Sequence, residues 1–382
     1  MRNRRIRAVS VAFRVAAGSL LFVAAGQQAS AAPLLSQAPA NFNDLVKAAQ
    51  KEGQLTVIAL PHNWLNYGEA IDTFAKKYGI KVNELNPDAG SGDELQAVQA
   101  NKDNMGPQAP DVIDVGFSFG PDAKKAGILA PYKVRTWSTI PASVKDPDGY
   151  WYGDYYGVMA FEVNLDVVKN PPLDWADLLG TAYKGQIALT GDPRVSNQAI
   201  MAVAAANLAN KGTFDNAQPG VDFFAKLNAQ GNFVPLIAKM GTIATGETPV
   251  AITWDYLALT DRDTAAGNPN IGVFVPTSGV LAGVYVQGIS AYAPHPNAAR
   301  LWEEFLYSDE GQLIWLKGYG HPIRYADLAS RNAIPDELAS KLPPASYYAK
   351  AVFPTLAQQG SAKAFIVSTW DSIVGANVTA KQ

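Results

Sequence analysis

Cysteine is absent from the 382-residue chain, which excludes disulfide bonds, thiolate metal sites and a thiol nucleophile and leaves no residue to carry a lipoprotein anchor. Histidine is nearly absent too: only His62, His295 and His321 are available as imidazole bases or ligands. Long apolar runs are missing apart from a short one, Ala16 to Ala25, whereas a membrane-spanning helix needs about 20 such residues. Basic charge is scarce and unevenly placed. The chain has 31 basic and 34 acidic residues, and Arg2, Arg4, Arg5, Arg7 and Arg14 lie before or within that apolar stretch.

What is present at the N-terminus has the order of an export leader: basic residues, the apolar stretch, then the small residues Ala29-Ser30-Ala31. Residues 1–31 are expected to be a signal peptide cleaved after Ala31, and Arg4-Arg5 leaves the general secretory and twin-arginine routes both open. Removing the leader takes away those five arginines and leaves 26 basic against 34 acidic residues, a net charge near −8. Nucleic acid is not an expected partner, because neutralising phosphates needs a basic face. The mature protein reads as soluble and periplasmic. Its roughly 350 residues exceed one ordinary core, so two lobes are expected.

Strand and helix patterns alternate along the mature chain. Asn41 or Asn43 can cap a first helix that Gly53 ends, and Leu55 to Leu60 is a continuous apolar run of the kind that fills a parallel sheet. A helix over about Glu69 to Tyr78, a strand Lys81 to Leu85, a Gly90-Ser91-Gly92 turn, a helix from near Asp93 and a strand Val112 to Val115 complete a βαβαβ order. That order predicts a doubly wound sheet, with ligands beyond the carboxyl ends of the strands. An extended segment, Tyr150 to Asn164, opens the middle third. Further on, Gly283-Val-Tyr-Val-Gln-Gly-Ile-Ser-Ala-Tyr-Ala-Pro294 reads as a strand and turn. Asn297 to Gln312 follows as an amphipathic helix with Ala298, Leu301, Trp302 and Phe305 at helical spacing.

The order of these last pieces resembles the return crossover of extracytoplasmic solute-binding proteins, the ligand receptors of ABC importers. Trp175-Ala-Asp-Leu-Leu179, Tyr183-Lys-Gly-Gln-Ile-Ala-Leu189, Gly191-Asp-Pro193 and Ser196 are similar to the second-lobe opening of that family. Together they extend the resemblance from about Gly53 to Trp370, with wording nearest the branch for polyamines, thiamine, ferric iron and phosphonates. The resemblance implies an α/β, type II periplasmic-binding-protein fold: two lobes, each a doubly wound sheet flanked by helices, with the ligand cleft at the interlobe hinge. The first lobe would hold residues 32–157 and 287–322, the second 158–286 and 323–382, so that the chain crosses three times. The implied function is that of a monomeric receptor, without cofactor or metal, for a small polar organic solute of polyamine, thiamine-like, aminophosphonate or sugar-like kind. It would close about its hinge and deliver the solute to a membrane permease and its ATPase. No catalysis is implied.

The loops after strands supply the candidate ligand contacts. Trp64 and Tyr67 follow the first strand. Ser91 and Gly92 open a helix whose free N–H groups can hold a polar oxygen, or simply form a capped turn, and Asp93 and Glu94 already suit that helix dipole. Phe117 and Ser118 follow the third strand; Asp154 and Tyr155 begin the first interlobe strand, and Ser196 and Asn197 offer neutral hydrogen-bonding groups at a helix start. Arg194 is expected to be neutralised by Asp192. Trp254, Asp255 and Tyr256 end a buried strand, where the family resemblance favours Trp254 as a π face for the ligand and a packed core tryptophan is the alternative. Tyr285 and Gln287 lie on the returning strand. Gln287 stands where the resemblance leads one to expect an acid in a polyamine receptor.

Two rival readings attach to the same residues. A ferric-iron receptor of this fold would want adjacent tyrosines, but Tyr256 is followed by Leu257, and no compact ligand set is visible. Gly116-Phe-Ser-Phe-Gly120 matches a nucleophile elbow with Ser118 as nucleophile. A serine hydrolase needs a late histidine with an orienting acid, and His295 and His321 sit in proline turns without one in view.

Overall fold

The computed structural model describes residue 35, residues 37–342 and residues 349–381. The leader and its cleavage point lie outside the described residues. The first helix, α1 (Phe42–Glu52), is capped by Asn41, whose Oδ1 accepts from the Asp44 N–H at 3.0 Å, and Gly53 ends it in the left-handed region. Next come β1 (Gln54–Ile58), α2 (Tyr67–Tyr78) and β2 (Lys81–Leu85), with β1 and β2 paired in parallel as a separate two-stranded sheet. α3 (Ser91–Ala100) starts from the Gly90 turn, and β3 (Val112–Gly116) follows with every residue buried.

The chain continues through α4 (Phe119–Lys125) and β4 (Leu129–Ala130) to the long strand β5 (Tyr152–Asn164). Beyond it lie β6 (Ile187–Leu189), α5 (Asn197–Ala209), α6 (Gln218–Ala229), α7 (Met240–Ala244), β7 (Val250–Trp254), α8 (Asp255–Ala265), β8 (Ile271–Phe274) and β9 (Ala282–Ser290). Finally come α9 (Pro296–Leu306), α10 (Asp309–Lys317), β10 (His321–Pro322) and, at the C-terminus, a helix over Leu356–Ile373. The larger sheet has the order β3–β9–β5–β7–β6, with β4 on β9 and with β8 and β10 on β5.

β5 is the member that serves both ends of this sheet. Its first half pairs with β9 and β10, its second half with β7 and β8, all antiparallel. The expected lobe boundaries at 157/158 and 286/287 fall inside β5 and β9, and the third falls just after β10. Asp111, wholly buried, joins the small sheet to the large one: its carboxylate accepts from the Thr56 N–H at 2.6 Å and from the His295 N–H at 2.7 Å.

Close packing explains the small residues in these strands. A Cβ on Gly283 would lie 2.2 Å from the Trp254 ring, and one on Gly116 would lie 1.9 Å from Cγ of Asn197. Neither separation is attainable for real atoms, so glycine at both positions is what lets an indole and an amide sit flat on the sheet. Among the described residues, no helix is long and apolar enough to cross a membrane.

Candidate functional site

A cleft of about 410 Å³ opens where the loops after β1 and β2, the start of α3, the end of β3, the start of α5, α7, β5 and α8 approach one another. Its charge is one-sided. Among the described residues, seven carboxyl side chains line it against a single basic one, Lys239. Three of the seven are spoken for by the protein: Asp88 pairs with Lys239 at 2.6 Å, Asp192 with Arg194 at 2.7 Å, and Asp93 accepts from the Gly90 N–H at 2.9 Å. The other four form two groups.

The first group is Glu94 and Asp114. Glu94 accepts from the Asp114 N–H at 3.0 Å. Asp114 Oδ2 accepts from the hydroxyls of Tyr67 at 2.8 Å and Tyr155 at 2.7 Å, and a carboxyl–carboxyl hydrogen bond joins Asp114 to Asp154. Behind it, Gln287 donates to Tyr67 Oη at 2.8 Å and to Asp154 at 2.9 Å, and Trp64 Nε1 donates to Tyr155 Oη at 2.7 Å. Burial pushes the Asp114 carboxyl up to about 6, and it also raises Glu94 and Asp154 well above the usual carboxylate range, each carboxyl adding to the next.

The second group is Glu162, on the second half of β5, and Asp261, on α8. Burial followed by the charge of Asp261 raises Glu162, and burial pushes Asp261 up to about 6. Asn63 contributes a hydrogen bond to Asp261, whereas Glu162 Oε1, buried in the wall, has no partner. Asn63 and Trp64 are consecutive, so one loop bonds Asp261 with one residue and, with the next, Tyr155, the donor to Asp114.

The residues expected from sequence divide into a wall and a backing. Trp64, Ser91, Ser196, Asn197 and Tyr285 line the cleft. Ser91 Oγ accepts from the Gly116 N–H at 3.1 Å, and Ser196 caps α5. Asn197 lies beside the Tyr285 hydroxyl, yet neither of its amide atoms completes a hydrogen bond of good geometry. Gly92 donates its N–H to the Val195 carbonyl at 3.0 Å and takes no part in the wall.

Tyr67, Asp154, Tyr155 and Gln287 form the buried network behind Asp114. Trp254 and Tyr256 are stacked beneath Tyr285 and Trp64, fully buried, with Trp254 Nε1 3.4 Å from Tyr285 Oη. Asp255 holds the Val158 N–H at 2.9 Å. Phe117 packs edge-on against Trp151. Ser118 is buried at the start of α4, where its carbonyl accepts from Lys363 at 3.0 Å. The three histidines are engaged elsewhere: His62 with Glu84, His295 with Asp111, and His321 stacked on Tyr156.

Wall residues outside the expected contacts include Asp114, Glu162, Asp261 and Lys239. For two of them a signal exists in the sequence. Asp114 interrupts Val112-Ile-Asp-Val115 and Glu162 interrupts Val158-Met-Ala-Phe-Glu-Val163, each a strand buried on both sides. A carboxyl in such a run is costly unless something compensates it, which marks a site. Asp261 and Lys239 carry no comparable mark.

With this geometry in place, comparison with known proteins is informative. A model of the bacterial extracellular solute-binding proteins matches residues 108–350. Iron uptake protein A1 of Synechocystis is 23% identical over 333 residues, covering 84% of this chain and 86% of that protein. A putative 2-aminoethylphosphonate-binding periplasmic protein of Salmonella typhimurium is 25% identical over 268 residues, 68% of this chain and 74% of that protein. The periplasmic binding protein P5PA superposes with a TM-score of 0.65 at 20% identity, over 84% of this chain and 99% of that one. Likeness at that identity shows the fold, which is the type II periplasmic-binding-protein fold.

Proposed function

Because this chain belongs to the family of bacterial extracellular solute-binding proteins, whose members capture solutes for transport, we propose that its own solute is a small organic cation, delivered to an ABC permease and its ATPase. The observation that carries this reading is the cleft wall: seven carboxyls, one lysine, and that lysine already committed to Asp88. A phosphonate or sugar phosphate would enter a field of its own sign, with no arginine among the described wall residues to grip it in a bidentate fashion. An ammonium or amidinium group would instead compensate buried carboxyls that the protein leaves partly unpaired.

Residues 32–157 with 287–322 act as one lobe and residues 158–286 with 323–382 as the other. Among the contacts that cross that division are Asp88 to Lys239, the Gly92 N–H to the Val195 carbonyl, and Lys363 to the Ser118 carbonyl. All three must break if the lobes hinge apart, so they belong to a closed state. Ser118, buried away from the cleft wall and with His62, His295 and His321 engaged elsewhere, acts in packing rather than in hydrolysis. The protein is exported to the periplasm through the 1–31 leader and works as a monomer.

The ferric-iron reading keeps one observation in its favour, the similarity to iron uptake protein A1, and hard carboxylate oxygens suit such an ion. Against it, no group of three or more His, Asp or Glu among the described residues is placed to hold one metal ion. Thermal melting of the exported protein with alkylamines, 2-aminoethylphosphonate and ferric citrate in turn separates the readings. A ligand at about one hundred times its Kd stabilises the native state by about 2.7 kcal/mol. The expected result is a rise with amines alone; a rise confined to ferric citrate or to the phosphonate overturns the organic-cation reading.

A further inference from the structure

The two acidic groups of the cleft are built differently, and the difference bears on the shape of the ligand. At the first, Asp114 already receives two tyrosine hydroxyls, and Gln287, Asp154 and Trp64 hold those tyrosines in place. At the second, Glu162 is 1% exposed, its Oε1 meets no donor, and the neighbouring charged group is another carboxyl, Asp261. An unpartnered, buried carboxyl aimed into a cleft is a free-energy cost that a native chain retains only where something compensates it. Lys239 acts on Asp261 only through space, since its Nζ lies on Asp88, and Arg194 is committed to Asp192. Both acidic groups open on the same cleft, whose wall also carries Trp64, Tyr285, Leu257 and Ile243. Asn197, buried beside the Tyr285 hydroxyl, faces the same space.

We infer that the cleft takes a dication: a ligand with two cationic nitrogen centres joined by an apolar spacer, one centre against Asp114 and Glu94, the other against Glu162 and Asp261. This inference rests on the organic-cation reading and adds to it the second charge, the spacer and the assignment of Glu162 as the residue that selects for them. Asn63 and Trp64, neighbours on one loop, would sense both ends of such a ligand at once, the first through Asp261 and the second through Tyr155. A monocation can satisfy only one end and leaves the other buried pair uncompensated.

The test is calorimetric titration of the exported protein with a homologous series of unbranched terminal diamines, propane to dodecane, each beside the monoamine of the same length. At one spacer length the diamine should bind about ten- to one-hundred-fold tighter than its monoamine, the range expected for a second charge-assisted hydrogen-bonded contact. Glu162→Gln should abolish that advantage, lowering diamine affinity by a larger factor than monoamine affinity. Asp261→Asn should reduce the advantage in the same direction, a second variant that keeps the test usable if the first folds poorly. Diamines no tighter than monoamines at any length, or a Glu162→Gln effect equal for both classes, would overturn the dication while leaving the organic-cation reading intact. Failure of every amine, single or double, would remove both.

Discussion

The two acidic ends of the cleft solve the same problem, a buried negative charge, in opposite ways. Asp114 sits at the centre of a hydrogen-bonded aromatic scaffold in which Tyr67, Tyr155, Gln287 and Trp64 are each oriented by another member. Glu162 has Asp261 beside it and no donor on Oε1. One end is preorganised by the protein. The other is left for a ligand to complete, which makes it the end where selectivity resides and where the empty protein bears a cost.

The largest expected effect tests the scaffold. Trp254 is fully buried beneath Tyr285, so Trp254→Ala should cost about 3–5 kcal/mol in denaturant unfolding, as for other large-to-small core replacements. A loss below about 1 kcal/mol would mean that this layer does not support the Asp114 end. Next comes a direct contrast. Tyr155→Phe removes a donor to Asp114 and an acceptor for Trp64, and should cost about 1–3 kcal/mol. Glu162→Gln in the same assay should leave the ligand-free protein as stable or more so, because it discharges a carboxyl that has no compensating donor. Equal losses in the two variants would erase the distinction between the ends.

Proton linkage sharpens it further. Burial raises Asp114 from its ordinary 3.8 to about 6, so the native state holds this proton more tightly than the unfolded chain does. The group's contribution to ligand-free stability is therefore greatest below pH 3.8 and is lost as pH rises through about 6. Cation affinity runs the other way, rising as the carboxyls ionise. Titrations at about pH 5 and about pH 7.5 should differ by about tenfold in favour of the higher pH. A pH-independent affinity would show that the carboxyls do not meet the ligand's charge.

A titration outside the cleft provides the control. His295 is raised above 6.5 by its hydrogen bond to Asp111, so its stabilisation is complete below 6.5 and fades as pH rises through the raised value. His295→Gln should flatten the fall in melting temperature above pH 6.5 and leave ligand affinity unchanged at every pH. The smallest effect belongs to the half-exposed Lys239–Asp88 pair at the mouth, worth about 0–1 kcal/mol. Lys239→Met should leave stability almost unaltered and raise amine affinity by a few-fold, more at low salt than at high. Weaker amine binding in that variant would argue that the latch, rather than the field, dominates the lysine's role.

Much of the fold was legible in the chain because local chemistry dictates it. Asn41 and Gly53 delimit the first helix, the apolar run after Gly53 is a strand, and the small-residue strand from Gly283 returns beside β5 as the pattern implied. The loops after strands do border the cleft. Less legible was which residues of those loops face it: Trp64, Ser91, Ser196, Asn197 and Tyr285 reach the wall, whereas Trp254, Tyr256 and Tyr67 lie behind. An indole or phenol at a strand end serves equally well as a π face or as core, and periodicity does not distinguish them. Gly283 held the missing information, since only a glycine there lets Trp254 lie flat, but that meaning appears only once the two strands are brought together.

By itself the sequence determined the class: an α/β receptor of the solute-binding family, without cysteine chemistry and with a basic, apolar and small-residue N-terminal stretch. It determined these because composition, capping residues and strand runs act over a few neighbouring positions. Tertiary structure alone decided the sign of the cleft. Asp114, Glu162 and Asp261 are separated by 48 and 99 residues along the chain, and nothing short of the fold places them on one wall and leaves one of them without a partner. Charge acts through space, and its consequences follow the distances that folding creates.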